Sequence, residues 1–326
     1  MSNPSARPAR TSSIHPGTHP GAVALAVADL ERSLAFYHEV VGFSLIRRDG
    51  RQASMGVGAE PLLLLAEERG VRPWPVHATG LYHFAILVPS RADLGRWLAH
   101  WLSLGFPVPG QADHLVSEAL YLNDPDGNGI EIYRDRRRDE WQWSSGTIQM
   151  ATDPLDIRGL LAAGSETGEP WSGLPRGTVI GHMHLQVADI PEARQFYHTV
   201  LGFDITIPWI PTALFVSAGG YHHHLGLNTW HSRGAGPAPA GSAGLRYWSL
   251  VVPADEARAA VTERITAAGM KIVEQGNLVA AYDPWQTALI LQADTALDMG
   301  AAHEAAASLR RLALPHAGYG TRIAGI

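Results

Sequence analysis

Residues 28–43 read ADLERSLAFYHEVVGF, and the same pattern returns at residues 188–203 as ADIPEARQFYHTVLGF. The offset between the two segments is 160 residues (189 − 29). A weaker repeat pairs GLYH at residues 80–83 with GLRY at residues 244–247, at an offset of 164 residues (247 − 83). Two segments that repeat in the same order at nearly equal spacing indicate that a whole domain is duplicated.

Each repeat predicts a strand, a helix and three further strands. Residues 23–27 form a short apolar run that is typical of a buried strand, and Asp29 is positioned to cap the helix that follows. Apolar residues at three-to-four-residue spacing then continue to Val41, and Gly42 is expected to end the helix in a left-handed conformation. The chain thus predicts four βαβββ units, which begin near residues 22, 81, 182 and 246.

The predicted fold class is α+β, with the strands of paired units curled into cupped mixed sheets. Residues 1–18 are expected to form a flexible arm, residues 19–135 the first domain and residues 136–178 a connector. Residues 179–295 are expected to form the second domain, and residues 296–326 a C-terminal helix and tail.

Composition narrows the function classes. The chain has 326 residues, of which 46% are hydrophobic, so two domains of ordinary size can each bury a core. The net charge is −6, and the short basic run at residues 134–138 is interpreted as a solvated segment, so no nucleic-acid partner is expected. The absence of cysteine excludes thiol catalysis and zinc–thiolate or iron–sulfur sites, which leaves His, Asp and Glu as metal ligands.

The sequence predicts neither a signal peptide nor a membrane-spanning segment. The first eighteen residues lack the apolar core of a signal peptide, and no apolar run approaches the roughly 20 residues of a membrane span. A chain without disulfides suits a reducing compartment. We therefore expect a cytoplasmic protein with no membrane partner.

The two repeats, together with DPDGNGIE at residues 124–131, resemble the vicinal oxygen chelate superfamily. This superfamily includes glyoxalase I, fosfomycin- and bleomycin-resistance proteins, and extradiol ring-cleaving dioxygenases. The resemblance covers nearly all of residues 20–293 and implies two glyoxalase-like domains. A fold of this kind hosts several activities and does not by itself select one.

The resemblance also implies a set of metal ligands. In metal-using members one ligand lies on the first strand of a unit, seven residues before the helix cap, and a carboxylate lies on the last strand. The first-strand position of units one to four falls on Ala22, His83, His182 and Tyr247. The carboxylate position falls on Glu131 in unit two and on Ile290 in unit four.

The implied site therefore consists of His83, Glu131 and His182. Two imidazoles and one carboxylate are the ligands of non-haem Fe(II) sites that leave positions open, and the same donors suit Mn(II). Units two and three supply all three ligands, so we predict one composite site where these units pair, within one chain or across a dimer. Units one and four are expected to form a metal-free scaffold.

The same resemblance implies three catalytic residues. A tyrosine is expected ten residues before the carboxylate, which is Tyr121, and a histidine in the run YHHHLGL at residues 221–227, which is His223. His114 is the candidate for a further histidine. His223 would act as the base and later as the proton donor, Tyr121 would hydrogen-bond the ionised substrate oxygen, and His114 would contact the second hydroxyl.

Several neighbouring residues have two interpretations. His184 is a rival ligand or a pocket-lining residue, and His222 and His224 would face away from His223 if the run lies on a strand. Four aromatic residues fit a pocket wall and a core equally well: Trp230, Trp248, Tyr282 and Trp285.

The resulting hypothesis is an extradiol ring-cleaving dioxygenase, similar to catechol 2,3-dioxygenases, that takes a small aromatic diol and O₂ as partners. One alternative is a metal-dependent lyase or isomerase of the glyoxalase I type, which usually has a second carboxylate. The other is a metal-free protein that sequesters drugs in an empty groove. The sequence is compatible with a homo-oligomer.

Overall fold

The structure is a computed structural model that describes residues 13–145, 147–166, 168–208, 210–293 and 297–312. The described chain forms two eight-stranded mixed sheets and one two-stranded hairpin. No helix among these residues is long and apolar enough to cross a membrane. The predicted α+β fold with cupped mixed sheets is confirmed.

The predicted order of elements is observed in all four units. The first half comprises β1 (His19–Val27), α1 (Leu30–Ala35), β2 (Ser44–Asp49), β3 (Gln52–Val57), β4 (Glu60–Glu67), β5 (Gly80–Leu87), α2 (Arg91–Ser103), β6 (Gly110–Asp113), β7 (Ser117–Asn123) and β8 (Gly129–Asp135). A connecting segment carries β9 (Trp143–Ser144), β10 (Thr147–Ile148) and α3 (Ile157–Glu166). The second half comprises β11 (Val179–Gln186), α4 (Ile190–Ala193), β12 (Asp204–Ile207), β13 (Ala213–Ser217), β14 (Leu225–Asn228), β15 (Gly244–Val252), α5 (Asp255–Ala267), β16 (Ile272–Gln275), β17 (Leu278–Tyr282), β18 (Ala288–Ala293) and α6 (Met299–Leu312).

The two long repeats fold in the same way. The Asp29 side chain accepts a hydrogen bond from the backbone N–H of Arg32 at 3.0 Å, and Asp189 caps the second copy in the same manner. Each helix begins as α and continues as a π-helix, over Phe36–Val41 in the first copy. Gly42 ends that helix at φ 99°, a left-handed conformation that glycine adopts without a steric penalty. The predicted cap and end are confirmed.

The units pair across the two halves of the chain. The order of one sheet is β12-β13-β14-β11-β5-β8-β7-β6, which joins unit three to unit two through the antiparallel pair β5 and β11. The other sheet has the order β16-β17-β18-β15-β1-β4-β3-β2 and joins unit four to unit one through β15 and β1. The prediction that units two and three pair is confirmed, and the pairing occurs within one chain.

Three predicted segments lie outside the paired units: the N-terminal arm, the connector and the C-terminal helix and tail. Residues 1–12 of the predicted arm and residues 313–326 of the predicted tail lie outside the described residues. Ile14 is buried, and its backbone N–H donates to the Gly202 carbonyl at 3.0 Å, so the end of the arm packs on the second half. The connector contains a hairpin and a helix of its own.

Candidate metal centre

A cavity of about 690 Å³ lies against the sheet formed by units two and three. All six residues that were predicted for the site line this cavity: His83, His114, Tyr121, Glu131, His182 and His223. Strands β5, β8 and β11 are neighbours in the sheet and carry the three predicted ligands side by side. The cavity is therefore built by residues from both halves of the chain.

The three predicted ligands form a compact triangle. Glu131 Oε2 lies 3.0 Å from His83 Nε2 and 3.1 Å from His182 Nε2. The two Nε2 atoms are 3.4 Å apart, and all three side chains are buried. Among the described residues, they are the one group of three or more potential metal ligands whose donor atoms converge.

Charge in this triangle is distributed as a metal site requires. Burial acts to raise the pKa of the Glu131 carboxyl, but the adjoining His182 and His83 outweigh it and hold the pKa well below its ordinary value. Burial lowers the pKa of His83 and outweighs the opposing effect of Glu131. An ionised carboxylate and a neutral imidazole are the protonation states in which these side chains bind a metal.

The donor set fits one divalent cation. Donor atoms that share a metal at roughly 2.1 Å are themselves about 3 Å apart when their bonds are near right angles, which agrees with the spacing of the triangle. His83, Glu131 and His182 supply imidazole and carboxylate donors on one face, the arrangement found in non-haem Fe(II) sites. The residues present therefore fit the implied metal.

His114 and Tyr121 are joined by a hydrogen bond. The Ala151 carbonyl can only accept, so the 2.6 Å contact from His114 Nδ1 requires the proton on that nitrogen. The Tyr121 hydroxyl then donates to His114 Nε2 at 2.7 Å. Burial, followed by the charge of Glu131, raises the pKa of the Tyr121 hydroxyl well above its ordinary value, so Tyr121 stays protonated. The described contacts thus engage His114 Nε2 with Tyr121.

The condition that the run YHHHLGL lies on a strand does not hold for its first four residues. Strand β14 begins at Leu225, and residues 218–224 form an irregular turn. The physical reason is the pair Gly219 and Gly220, which take φ values of 63° and 67° and reverse the chain. The backbone N–H of Ala218 donates to His224 Nδ1 at 3.0 Å and closes the turn.

The three histidines of this turn have different surroundings. His223 lines the cavity, with its ring centroid 4.3 Å from that of His182. His222 is fully buried and contacts Asp135 instead. Burial, followed by the neighbouring His182 and His222, lowers the pKa of His223 well below its ordinary value. Only His223 of the three therefore faces the cavity.

The remaining ambiguous residues separate into cavity wall and core. His184 lines the cavity outside the ligand triangle, and Gly226 leaves room for its ring, because a Cβ there would lie 3.0 Å from the imidazole. Trp230 lines the cavity and is 47% exposed. Trp248 and Trp285 belong to the main hydrophobic core, and Tyr282 packs against a separate apolar cluster.

Other wall residues could not be found from the sequence. The connector contributes Met150, Ala151 and Thr152 to the cavity, and unit three adds three apolar side chains. These are Ile207, Ile210 and Phe215. No spacing rule relates the connector to the ligands; the signal that it packs on the domains is its content of tryptophan.

Sequence comparison identifies relatives of the chain. The sequence profile of the Glyoxalase/Bleomycin resistance protein/Dioxygenase superfamily matches residues 19–132 and 179–285. A curated relative, "Catechol-2,3-dioxygenase" of Bacillus subtilis (strain 168), is 47% identical over 283 residues, which cover 86% of this chain and 98% of the relative.

Solved structures share the fold at low sequence identity. A proposed dioxygenase from Bacillus subtilis subsp. subtilis str. 168 has a TM-score of 0.57 at 14% identity, with 92% of this chain and 89% of that chain covered. Glyoxalase I from Zea mays has a TM-score of 0.52 at 19% identity, with 84% of this chain and 92% of that chain covered. These likenesses concern the fold alone.

Proposed function

Because this chain belongs to the Glyoxalase/Bleomycin resistance protein/Dioxygenase superfamily, we propose that it is an extradiol dioxygenase that inserts O₂ into a catechol-type aromatic diol at Fe(II). The observation that carries the proposal is the single cavity in which His83, Glu131 and His182 converge beside His223 and Tyr121. The name of the curated relative, catechol-2,3-dioxygenase, supports the choice of substrate.

His83, Glu131 and His182 would hold the metal. Bound Fe(II) would supply open positions at which diol and O₂ meet, together with the capacity to exchange electrons with both. Mn(II) fits the same donors. All three ligands come from one sheet and line the cavity.

His223 is the proposed general base. Its ring lies beside that of His182, so it faces a diol that is bound next to the ligand triangle. In the proposed step one O–H bond of the diol breaks and an N–H bond forms at His223. The same imidazole would later return the proton to an oxygen of the product.

Tyr121 and His114 would position the ring. With its proton donated to His114, the Tyr121 oxygen keeps lone pairs for a substrate hydroxyl, and the pair can also reorient to donate toward an ionised oxygen. The apolar side of the cavity, which includes Ile207, Ile210 and Phe215, would exclude water from the reacting ring.

The two alternatives have less support. A glyoxalase I-type site usually has a second carboxylate, whereas Glu131 is the one acidic side chain among the described residues that line the cavity. A metal-free drug-binding groove gives no reason for one carboxylate and two imidazoles to converge in a buried triangle inside the cavity.

Anaerobic loading with Fe(II) tests the proposal. The loaded protein is expected to consume one O₂ per catechol and to form the yellow ring-opened product, measured with an oxygen electrode and by absorbance. Protein loaded with Zn(II) is the matched control, because zinc binds such ligands but has no redox chemistry. Iron-loaded protein that consumes no O₂ with catechol or its alkyl derivatives would contradict the proposal.

A further inference from the structure

We infer that Asp135 and His222 form a hydrogen-bonded chain that fixes the tautomer of His223 and presents its unprotonated Nε2 to the cavity. Both are positioning residues that act through His223. The inference rests on the proposed function for the catalytic role of His223, whereas the hydrogen-bonded chain itself stands on geometry alone.

The first link joins Asp135 to His222. Asp135 Oδ1 lies 2.8 Å from His222 Nε2. A carboxylate oxygen can only accept a hydrogen bond, so the proton of this pair lies on Nε2 of His222. The His222 side chain has an exposed fraction of 0%, so water does not reach the imidazole of this pair.

The second link joins His222 to His223. The Nδ1 atoms of the two rings are 2.8 Å apart, and one of them must donate. A neutral His222 that carries its proton on Nε2 has a lone pair on Nδ1. The shared proton therefore lies on Nδ1 of His223, which leaves His223 Nε2 without a proton.

The free nitrogen faces the site. No described residue forms a hydrogen bond with His223 Nε2, and the side chain lines the cavity beside the His182 ring. If His222 were absent, either nitrogen of His223 could carry the proton, and the tautomer with Nε2–H could not accept one from the diol. The chain thus selects the tautomer that works as a base.

The carboxylate is itself held in place. The Tyr221 hydroxyl donates to Asp135 Oδ1 at 3.2 Å, and the Tyr133 and Tyr221 hydroxyls are 2.7 Å apart. Asp135 ends strand β8, the strand that carries Glu131, whereas His222 and His223 belong to unit three. The chain of hydrogen bonds therefore crosses from unit two to unit three, as the ligand triangle does.

The balance of the proton transfer follows from these bonds. When a diol O–H breaks and the proton forms a bond with His223 Nε2, the new imidazolium still donates from Nδ1 to His222. His222 in turn still donates from Nε2 to Asp135. No further proton has to move, and the positive charge is connected to a carboxylate through one neutral imidazole.

The kinetic test replaces the carboxylate. Asp135→Ala is expected to lower kcat for catechol by about 10- to 100-fold, the cost known for losing a partner that orients a metal-bound imidazole, with KM and iron content within about twofold. Asp139→Ala is the matched control, because it removes an exposed carboxylate that pairs with Arg137 and does not line the cavity. We expect it to retain kcat within about threefold.

A double variant separates positioning from a general structural role. In a His223→Gln background, Asp135→Ala is expected to lower the residual kcat by no more than about twofold, because its effect passes through His223. A further loss as large as that in the wild-type background would overturn the inference, as would an unchanged kcat in the single variant.

Nitrogen NMR gives a readout that does not depend on activity. In full-length, ¹⁵N-histidine-labelled protein loaded with diamagnetic Zn(II), His223 is expected to show a protonated Nδ1 and an unprotonated Nε2, assigned by its absence in His223→Gln. In Asp135→Ala the two states should mix. A wild-type His223 with its proton on Nε2 would overturn the inference even if catechol is cleaved. If His223 shows the expected tautomer but the protein cleaves no catechol, the result contradicts the proposed function and not the inference about the tautomer.

Discussion

The two sheets are built from the same kind of unit but carry different side chains at the predicted ligand positions. In the sheet of units two and three, His83, Glu131 and His182 lie buried on adjacent strands. In the sheet of units four and one, the corresponding positions hold Ala22, Tyr247 and Ile290. These apolar or phenolic side chains do not replace the missing imidazoles and carboxylate as a ligand set.

A helix of the same chain covers the sheet of units four and one. Helix α6 packs on this sheet, where Ala302, Ala305 and Ala306 form one buried cluster with Ala22, Tyr247 and Ile290. The Tyr247 hydroxyl lies 2.8 Å from His303 Nδ1. The comparison teaches that the paired units form two equivalent positions, and that a few side chains and one helix leave only one of them with a converging set of potential metal ligands among the described residues.

The largest effect should come from breaking the ligand triangle. Glu131→Gln removes the charge that holds two imidazoles around a cation, so we expect loss of iron and O₂ uptake at background level. Metal content by mass spectrometry and the oxygen electrode check this. Ile290→Ala, at the matching position of the other sheet, serves as the control and should keep its iron. A Glu131→Gln protein that retains stoichiometric iron would show that the two sheets differ less in metal binding than their residues indicate.

His223→Gln should separate catalysis from metal binding. We expect it to keep its iron and to lose about 10²- to 10⁴-fold in kcat, the usual contribution of a general base. Steady-state kinetics with parallel iron analysis measure both quantities. Loss of iron in this variant would instead make His223 a ligand.

Charge on the substrate should matter next. Among the described residues that line the cavity there is no lysine or arginine. A ring that carries a carboxylate would enter without a cationic partner, so we expect kcat/KM at least about tenfold lower for carboxylated than for alkyl-substituted catechols. Competition assays with matched pairs check this, and equal values would indicate a cation supplied from elsewhere.

Acid should lower the stability of the metal-free protein through buried groups in the sheet of units two and three. Burial, then His83 and His182, lowers the pKa of His184 well below its ordinary value of 6.5, so the folded state binds fewer protons than the unfolded state. Stability is then lost as pH falls below about 6.5. The depressed pKa of Glu131 adds its own loss only below its ordinary value of 4.5, outside this range. Thermal unfolding between pH 8 and 5 measures the loss. His184→Leu should show a shallower decline; an equal decline would assign the effect to other groups.

The smallest effect is expected from a substitution in the sheet of units four and one. Tyr247→Phe removes the hydroxyl that contacts His303, which should cost about 1 kcal/mol of unfolding free energy, as for a single hydrogen bond. Iron content and kcat should stay unchanged. Chemical denaturation and steady-state kinetics check this, and a changed kcat would mean that the two sheets communicate.

The parts of the structure that the sequence predicted share a physical basis. Asp29 and Asp189 fix where each repeat helix begins, and the resemblance to the superfamily implies a ligand seven residues before such a cap. His83 and His182 could therefore be located by counting, and the absence of ligands in units one and four indicated which units must pair.

The features that were not predicted depend on backbone reversals and on contacts distant in sequence. Gly219 and Gly220 turn the chain just before His222, so strand alternation does not apply there. The bond between His114 and the Ala151 carbonyl depends on how the connector folds back over the cavity. Neither feature has a periodicity that could be recognised in one sequence.

The crossing of the chain between the sheets has a practical consequence. Strands β1 and β5 from the N-terminal half pair with β15 and β11 from the C-terminal half. A cut in the connector would yield two fragments, each with half of both sheets and neither with the full ligand triangle. Recovery of iron binding on mixing them would report reassembly, which would make the protein a natural split reporter.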